Sequence, residues 1–221
     1  MGGDGTILRT MDELLGTGVP VLAVNSGHLG FLADCELSSV RDSMECLLTG
    51  DYMIDHLPVL KTTGPRGRKV RALNEICINR CAEGGILHIR VSVDDRQVAL
   101  MASDGVLVST PSGSTAYNLS CGGPVLYPDL PVVIITSICP HLLAIRPIVV
   151  PLTADIEFTV LRARGKDPLI IADGRAECGP IAQGESITVS ASELKCPVIR
   201  TGKRADYFST LGRKLGWGFR G

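Results

Sequence analysis

No Cys-x-x-Cys pair occurs among the eight cysteines of this chain, which stand at positions 35, 46, 77, 81, 121, 139, 178 and 196. That dispersal speaks against both a zinc chelate and a disulfide framework. Cys77 and Cys81, the closest two, fall on a segment that reads as strand, where their offset makes no compact chelate. Free buried thiols in a reducing cytosol fit the spacing better. Excess charge of one sign is also missing: formal net charge is −1, with Lys and Arg scattered throughout. A nucleic-acid groove, which needs one positive face, is therefore not expected. Apolar runs are short. The longest, such as Val132 to Ile135 and Ile148 to Val150, have the length of strands rather than of a membrane span. Gly2 to Thr6 is polar where a secretory signal needs an apolar core, so export is not expected either. The four histidines (His28, His56, His88, His141) share no motif with a serine, which leaves a Ser-His-Asp triad without support. Internal repeats and low-complexity stretches are absent.

What is present is a globular composition. The 221 residues are 45% hydrophobic and 20% charged, enough for one large domain or two small ones with a substantial core. Ile7, Leu8, Met11, Leu14 and Leu15 recur with helical spacing until Gly16-Thr17-Gly18 stops the run. Val19 to Val24 is nearly continuous and apolar, and reads as a buried parallel strand ending in the loop Asn25-Ser26-Gly27. Leu37, Val40, Met44, Leu47 and Leu48 mark a second amphipathic helix behind acidic Asp34 and Glu36. Loop, helix, strand, loop, helix is the grammar of an open α/β sheet, whose ligands gather at the carboxyl ends of strands. Beyond about Asp55 the period falls to two, as in Leu87-Ile89-Val91-Val93, Ile156-Phe158-Val160 and Ile187-Val189. Turn clusters separate such segments, which indicates an all-β domain of packed sheets. The expected organisation is a partial α/β (Rossmann-like) lobe at 1–54, a β-sandwich-like domain at 55–200, and a tail at 201–221 that packs back on the first lobe.

Three stretches carry candidate chemistry. Gly2-Gly3-Asp4-Gly5-Thr6 precedes a helix, where glycines let backbone N–H groups approach an anion and the helix terminus adds partial positive charge. It has neither the lysine of a Gly-x-x-x-x-Gly-Lys loop nor the Gly-x-Gly-x-x-Gly pattern. Asp4 is out of place beside phosphates unless it takes a proton from an attacking hydroxyl or helps hold a divalent cation; the alternative is a helix cap. Asn74-Glu75, flanked by apolar neighbours, either meets a ligand's hydroxyls or ends a strand in water. Ser112-Gly113-Ser114-Thr115-Ala116-Tyr117, reached from Asp104-Gly105 through Val106-Leu107-Val108, crowds hydroxyls, glycine and one aromatic ring into a short turn. Such a turn suits a hydroxyl-rich, planar-ringed ligand such as a nucleotide; the alternative is the cap of a helix beginning near Thr115. Two short matches carry no weight: the N-terminal Gly2 to Thr6 myristoylation pattern, which no polybasic patch supports, and the glycosylation pattern Asn118-Leu119-Ser120.

Taken in order, Gly2-Gly3-Asp4-Gly5-Thr6, Asn25-Ser26-Gly27-His28-Leu29-Gly30-Phe31, Leu73-Asn74-Glu75, Asp104-Gly105 and Ser109 to Tyr117 resemble the NAD kinase family. Gly122-Gly123-Pro124, Cys139-Pro140-His141, Arg146-Pro147, Asp173-Gly174 and Asp206-Tyr207-Phe208 continue the match over almost the whole chain. The resemblance implies transfer of a phosphoryl group from ATP or inorganic polyphosphate to the adenosine 2′-hydroxyl of NAD, giving NADP. Asp4 matches the family's general base, and Gly2, Gly3, Gly5 and Thr6 its phosphate loop. Asn74 and Glu75 match the pair at the adenosine ribose. Ser112, Thr115, Ala116 and Tyr117 match the adenine pocket, with Gly5, Phe31 and Ser120 in reach. Asp104 matches a residue at the nicotinamide end, used across a subunit boundary, which implies a homodimer or homotetramer. Mg²⁺, or another divalent cation, is carried mainly by the donor phosphates. Family members place a strand and an α/β segment ahead of the glycine loop, whereas this sequence begins inside it, so a truncated lobe is expected. A catalytically weak NAD-binding module and a lipid kinase of the same superfamily are the alternative readings.

Overall fold

A computed structural model describes residues 1–26, 30–33, 35–201 and 207–217. The chain divides into two compact units, Met1–Leu57 with Leu194–Gly221, and Pro58–Glu193. In the first unit, helix α1 (Asp4–Leu14) turns Ile7, Leu8 and Met11 inward at the spacing the sequence indicates. Strands β1 (Val24–Asn25) and β2 (Cys35–Glu36) pair in parallel, and Gly2 bridges in parallel to Asn25. The glycine loop is thereby fastened to the end of β1: the Gly2 N–H donates to the Val24 carbonyl at 3.0 Å.

The strand expected over Val19 to Val24 shrinks to those last residues. Pro20 has no N–H to give a ladder. Val21 instead bridges Val198, donating to the Pro197 carbonyl and accepting from the Ile199 N–H, both at 3.0 Å. Helix α2 (Val40–Thr49) forms in the expected place behind a 3₁₀ turn at Leu37–Ser39. Its apolar stripe is not buried, however: Leu37, Met44 and Leu48 face outward, and Ser43 is the buried residue of the helix. Ser43 is held by a hydrogen bond of 2.8 Å from the Thr201 hydroxyl.

The remaining strands are β3 (Tyr52–Thr63), β4 (Lys69–Ala72), β5 (Glu75–Asn79), β6 (Leu87–Val93), β7 (Arg96–Ser103), β8 (Gly105–Ser109) and β9 (Val132–Ile138). They are followed by β10 (Ile148–Pro151), β11 (Ile156–Arg162), β12 (Leu169–Ala172), β13 (Arg175–Pro180) and β14 (Ser186–Thr201). Two six-stranded sheets result, ordered β10-β9-β8-β5-β12-β13 and β4-β3-β14-β11-β6-β7. Alternation builds the core of the second unit. Ile76, Ile78, Val106 and Val108 of the first sheet join Leu87, Ile89, Phe158 and Val160 of the second in one buried cluster. Each such side chain stabilises the unit by about 1.5–3 kcal/mol on burial. The intervening residues Cys77 and Leu107 point to the opposite face, where with Ile138 they form a separate cluster covered by Tyr117 and Cys121.

The stretch that covers this face is a 3₁₀ turn at Ser112–Thr115 followed by a single helical turn, α3 (Tyr117–Ser120). Helix α4 (Tyr207–Leu215) buries Leu211 and Gly212 in the first unit. Mixed α/β structure in one unit and β-rich structure in the other agree with the fold class read from the sequence. Among the described residues, no helix is long and apolar enough to cross a membrane. Among the described residues, Cys35, Cys46, Cys77, Cys81, Cys121, Cys139 and Cys196 are free.

Candidate active site

In the first unit, Asp4 is the first residue of α1 and does not cap it; Gly3 occupies the cap position, without a side-chain bond. The Asp4 carboxylate reaches back across the loop instead. Its Oδ2 accepts the Phe31 backbone N–H at 3.0 Å and lies 3.7 Å from the Lys214 ammonium of α4. Its Oδ1 is enclosed and has no hydrogen-bond partner. Gly30 makes this placement possible, since a Cβ there would stand 1.8 Å from Oδ1. The Lys214 ammonium also sits 4.1 Å above the centre of the Phe31 ring. Gly2, Gly3, Gly5 and Thr6 follow the loop into the helix, where the Thr6 N–H donates to the Gly3 carbonyl at 2.9 Å. Gly27, His28 and Leu29 of the neighbouring motif, and Asp206 near the end, lie outside the described residues.

In the second unit, Asn74 and Glu75 stand where β4 gives way to β5 through a bend at Leu73-Asn74. Asp173, one of the few non-glycine residues with positive φ (47°), organises that bend. Its carboxylate accepts the N–H groups of Leu73 at 2.9 Å, Asn74 at 2.8 Å and Glu75 at 3.2 Å. Glu75 is only 5% exposed, which removes the reading of a strand end in water. Burial first, and the neighbouring Asp173 charge second, push its carboxyl up to about 7, against a smaller opposing effect from the Tyr117 backbone N–H. Glu75 Oε2 and Asn74 Oδ1 are both buried without hydrogen-bond partners. Two orphaned acceptors side by side are costly in a finished core and suited to a ligand's hydroxyls.

The hydroxylated turn docks on the same bend. Thr110 Oγ1 donates to the Leu73 carbonyl at 2.6 Å, and Ser109 Oγ donates to the Asn74 carbonyl at 3.2 Å. Ser112 Oγ also reaches the Leu73 carbonyl, at 3.3 Å. Gly113 comes so close that a Cβ would lie 2.2 Å from the Asn74 oxygen. Ser114 is fully buried, donating to the Pro111 carbonyl and accepting the Leu126 N–H. Most hydroxyls that drew attention to this turn therefore bind backbone. Thr115, Ala116 and Tyr117 remain half-buried at its surface, and Ser120 is exposed at the end of α3. The Tyr117 hydroxyl accepts from Asn79 Nδ2 at 3.4 Å, while its ring packs on the Cys77, Leu107 and Ile138 cluster. Burial also pushes the Tyr117 phenol and the Cys77 thiol upward, the latter to about 12, so Cys77 is no nucleophile.

Asp104, in the bend between β7 and β8, joins this group. It lines a cavity of about 280 Å³ with Tyr117, Cys139 and Arg80, and its Oδ1 receives Arg80 Nε at 2.7 Å. Arg80 carried no sequence signal. Asn118 carried a misleading one. Far from being a surface acceptor, it is fully buried, its amide donating to the Ser114 and Pro124 carbonyls and accepting from Thr136. His141 is exposed and bonds through its backbone N–H to the Ala102 carbonyl, at 2.8 Å.

Comparison with known proteins bears on the whole chain. The ATP-NAD kinase N-terminal domain matches residues 1–52, and the ATP-NAD kinase C-terminal domain matches residues 73–201. The NAD kinase of Clostridium botulinum (strain Loch Maree / Type A3) is 40% identical over 220 residues, which is 98% of this chain and 77% of that protein. The NAD kinase of Syntrophotalea carbinolica is 35% identical over 224 residues, 100% of this chain and 78% of that protein. Among solved structures, yeast NADH kinase complexed with NADH superposes with a TM-score of 0.87 at 26% identity, covering 100% of this chain and 65% of that one. An NAD kinase from Archaeoglobus fulgidus in complex with ATP superposes with a TM-score of 0.79 at 27% identity, covering 97% of this chain and 80% of that one. With two domain matches in order and relatives aligned over nearly its full length, the chain belongs to the NAD kinase family.

Proposed function

We propose that this chain transfers the γ-phosphoryl group of ATP to the adenosine 2′-hydroxyl of NAD, giving NADP and ADP. The oxygen of that hydroxyl bonds to phosphorus as the bond from phosphorus to the ADP oxygen breaks, and the hydroxyl proton passes to Asp4. Such chemistry asks a protein for alignment, charge compensation and one proton acceptor rather than for a covalent intermediate. Asn74 and Glu75 offer their unpartnered oxygens to ribose hydroxyls, and the half-buried face of Thr115, Ala116 and Tyr117 receives the adenine. Asp104, steadied by Arg80, addresses the nicotinamide end. Gly2, Gly3, Gly5 and Thr6 take the donor's phosphates at the start of α1.

The reading rests above all on Asp4. A carboxylate on a glycine-rich phosphate loop repels its ligand unless it has work to do, and this one is not a helix cap and keeps one oxygen without a hydrogen-bond partner. Among the described residues no three His, Cys, Asp or Glu side chains gather to hold a metal. We therefore assign a divalent cation such as Mg²⁺ to the donor phosphates, where it offsets their charge, and route no step through a protein-bound ion. Assembly as a homodimer or homotetramer and residence in the cytoplasm belong to the same proposal, the second supported by dispersed free thiols.

NADP formation from NAD, ATP and Mg²⁺ tests the reading directly. Asp4→Asn is expected to lower kcat by about 10²- to 10⁴-fold, the usual worth of a general base, and to leave the calorimetric Kd for NAD close to the parent value. Turnover unchanged in Asp4→Asn removes the base. NAD binding without NADP formation in the parent chain favours the binding module, and phosphorylation of diacylglycerol or a sphingoid base instead of NAD favours the lipid kinase.

A further inference from the structure

The glycine loop has no lysine of its own, yet the fold brings one to it from the far end of the chain. Lys214 lies on α4, and its side chain is 16% exposed, far below what a solvated surface lysine shows. Two partners hold the ammonium: Asp4 Oδ2 at 3.7 Å and the face of Phe31 at 4.1 Å. Phe31 is also the residue whose N–H bonds the same Oδ2. Leu211, one helical turn before Lys214, is buried and anchors α4 in the unit, so the lysine is presented by a packed helix rather than by a free tail. Burying a lysine this far is unfavourable unless its charge is used.

We propose that Lys214 is a positioning residue for Asp4. Its ammonium and the Phe31 N–H together hold Oδ2, which fixes the carboxylate's rotation, while Oδ1 packs against Gly30. Gly30 completes the arrangement, since any side chain there would occupy the place of Oδ1. The inference rests on Asp4 being the base. It adds a residue distant in sequence from every phosphate-loop position and acting through the carboxylate rather than on the substrate. Asp4 is the charged group that acts on Lys214: desolvation lowers the lysine's pKa, and the carboxylate draws it back upward.

Three variants test it. Lys214→Met keeps the length and removes the charge; kcat is expected to fall about tenfold or more, with KM for NAD within about twofold of the parent. Lys214→Arg restores the charge and is expected to recover much of kcat. Leu211→Ala loosens the same helix without touching Asp4, and is expected to lower Tm without that selective loss. Parent-like kcat in Lys214→Met overturns the proposal. So does a loss matched by an equal fall in Tm, as in Leu211→Ala, with no rescue by arginine. A second readout is independent of turnover. With lysines reductively ¹³C-methylated, the Lys214 signal is expected to titrate at lower pH in Asp4→Asn than in the parent, because the carboxylate's upward pull is gone. No change there overturns the pairing, whereas an inactive parent chain that shows the change refutes only the kinase reading.

Discussion

Replacing Glu75 by glutamine should make the protein more stable, and by a margin that grows with pH. In the folded chain burial and the Asp173 carboxylate push the Glu75 carboxyl from 4.5 up to about 7. Below pH 4.5 the residue is protonated in folded and unfolded chains alike, and its full contribution to stability is present. Between pH 4.5 and 7 the unfolded chain ionises while the folded one stays protonated, so the unfolded state binds fewer protons and stability falls as pH rises. At about 1.4 kcal/mol per pH unit, the loss reaches about 3 kcal/mol by pH 8. Glutamine has nearly the same shape and no proton to lose, so Glu75→Gln escapes the penalty. Urea unfolding followed by far-ultraviolet circular dichroism at pH 5 and pH 8 is the assay. The variant's advantage is expected to be below about 1 kcal/mol at pH 5 and about 3 kcal/mol at pH 8. In thermal melts the latter corresponds to roughly 6–12 °C for a chain of this size. An advantage independent of pH, or one that shrinks toward pH 8, would refute the assignment of a neutral, buried carboxyl. In the proposed site the same proton would matter for binding: a protonated carboxyl offers a hydroxyl both a donor and an acceptor, and an ionised one offers acceptors only.

Gly113→Ala should cost about 2–4 kcal/mol in the same urea assay, since its methyl would stand 2.2 Å from the Asn74 oxygen and neither backbone can give way cheaply; a cost under about 0.5 kcal/mol would show that the turn does not need this approach. Arg80→Met should raise KM for NAD about three- to tenfold with kcat less affected, because Asp104 loses the guanidinium 2.7 Å from its Oδ1. An unchanged KM would remove Asp104 and Arg80 from the dinucleotide site.

The strands of the second unit were legible because one face of each meets the core and the other does not. Leu87-Ile89-Val91 and Ile156-Phe158-Val160 announce that asymmetry with a period of two, and the structure pairs them in the second sheet. Helix α1 was legible for the corresponding reason at a period of 3.6. Val19 to Val24 was misread because a continuous apolar run says nothing of hydrogen bonding, and Pro20 denies the ladder a donor. Asp173 entered the sequence reading only within an Asp-Gly motif, with no role. Its partners lie about a hundred positions away, and no local pattern connects a carboxylate to the three N–H groups of a distant bend.

At the turn Ser112–Tyr117, composition alone does not say what the hydroxyls bond. Its hydroxyls suggested contacts to a polar ligand, yet Ser109, Thr110 and Ser114 are fully buried and bond to backbone. A serine that satisfies a carbonyl and a serine that greets a ribose are the same letter, and only burial separates them. What these bonds accomplish is to press the turn against Leu73-Asn74 at the distance Gly113 allows. The groups left with unmet bonding are then not the hydroxyls but Asn74 Oδ1 and Glu75 Oε2. Building a rigid hydroxyl-stitched platform is thus the condition for keeping two acceptors buried and unpaired. In a looser turn water would reach both oxygens, and Glu75 would ionise at its ordinary pH.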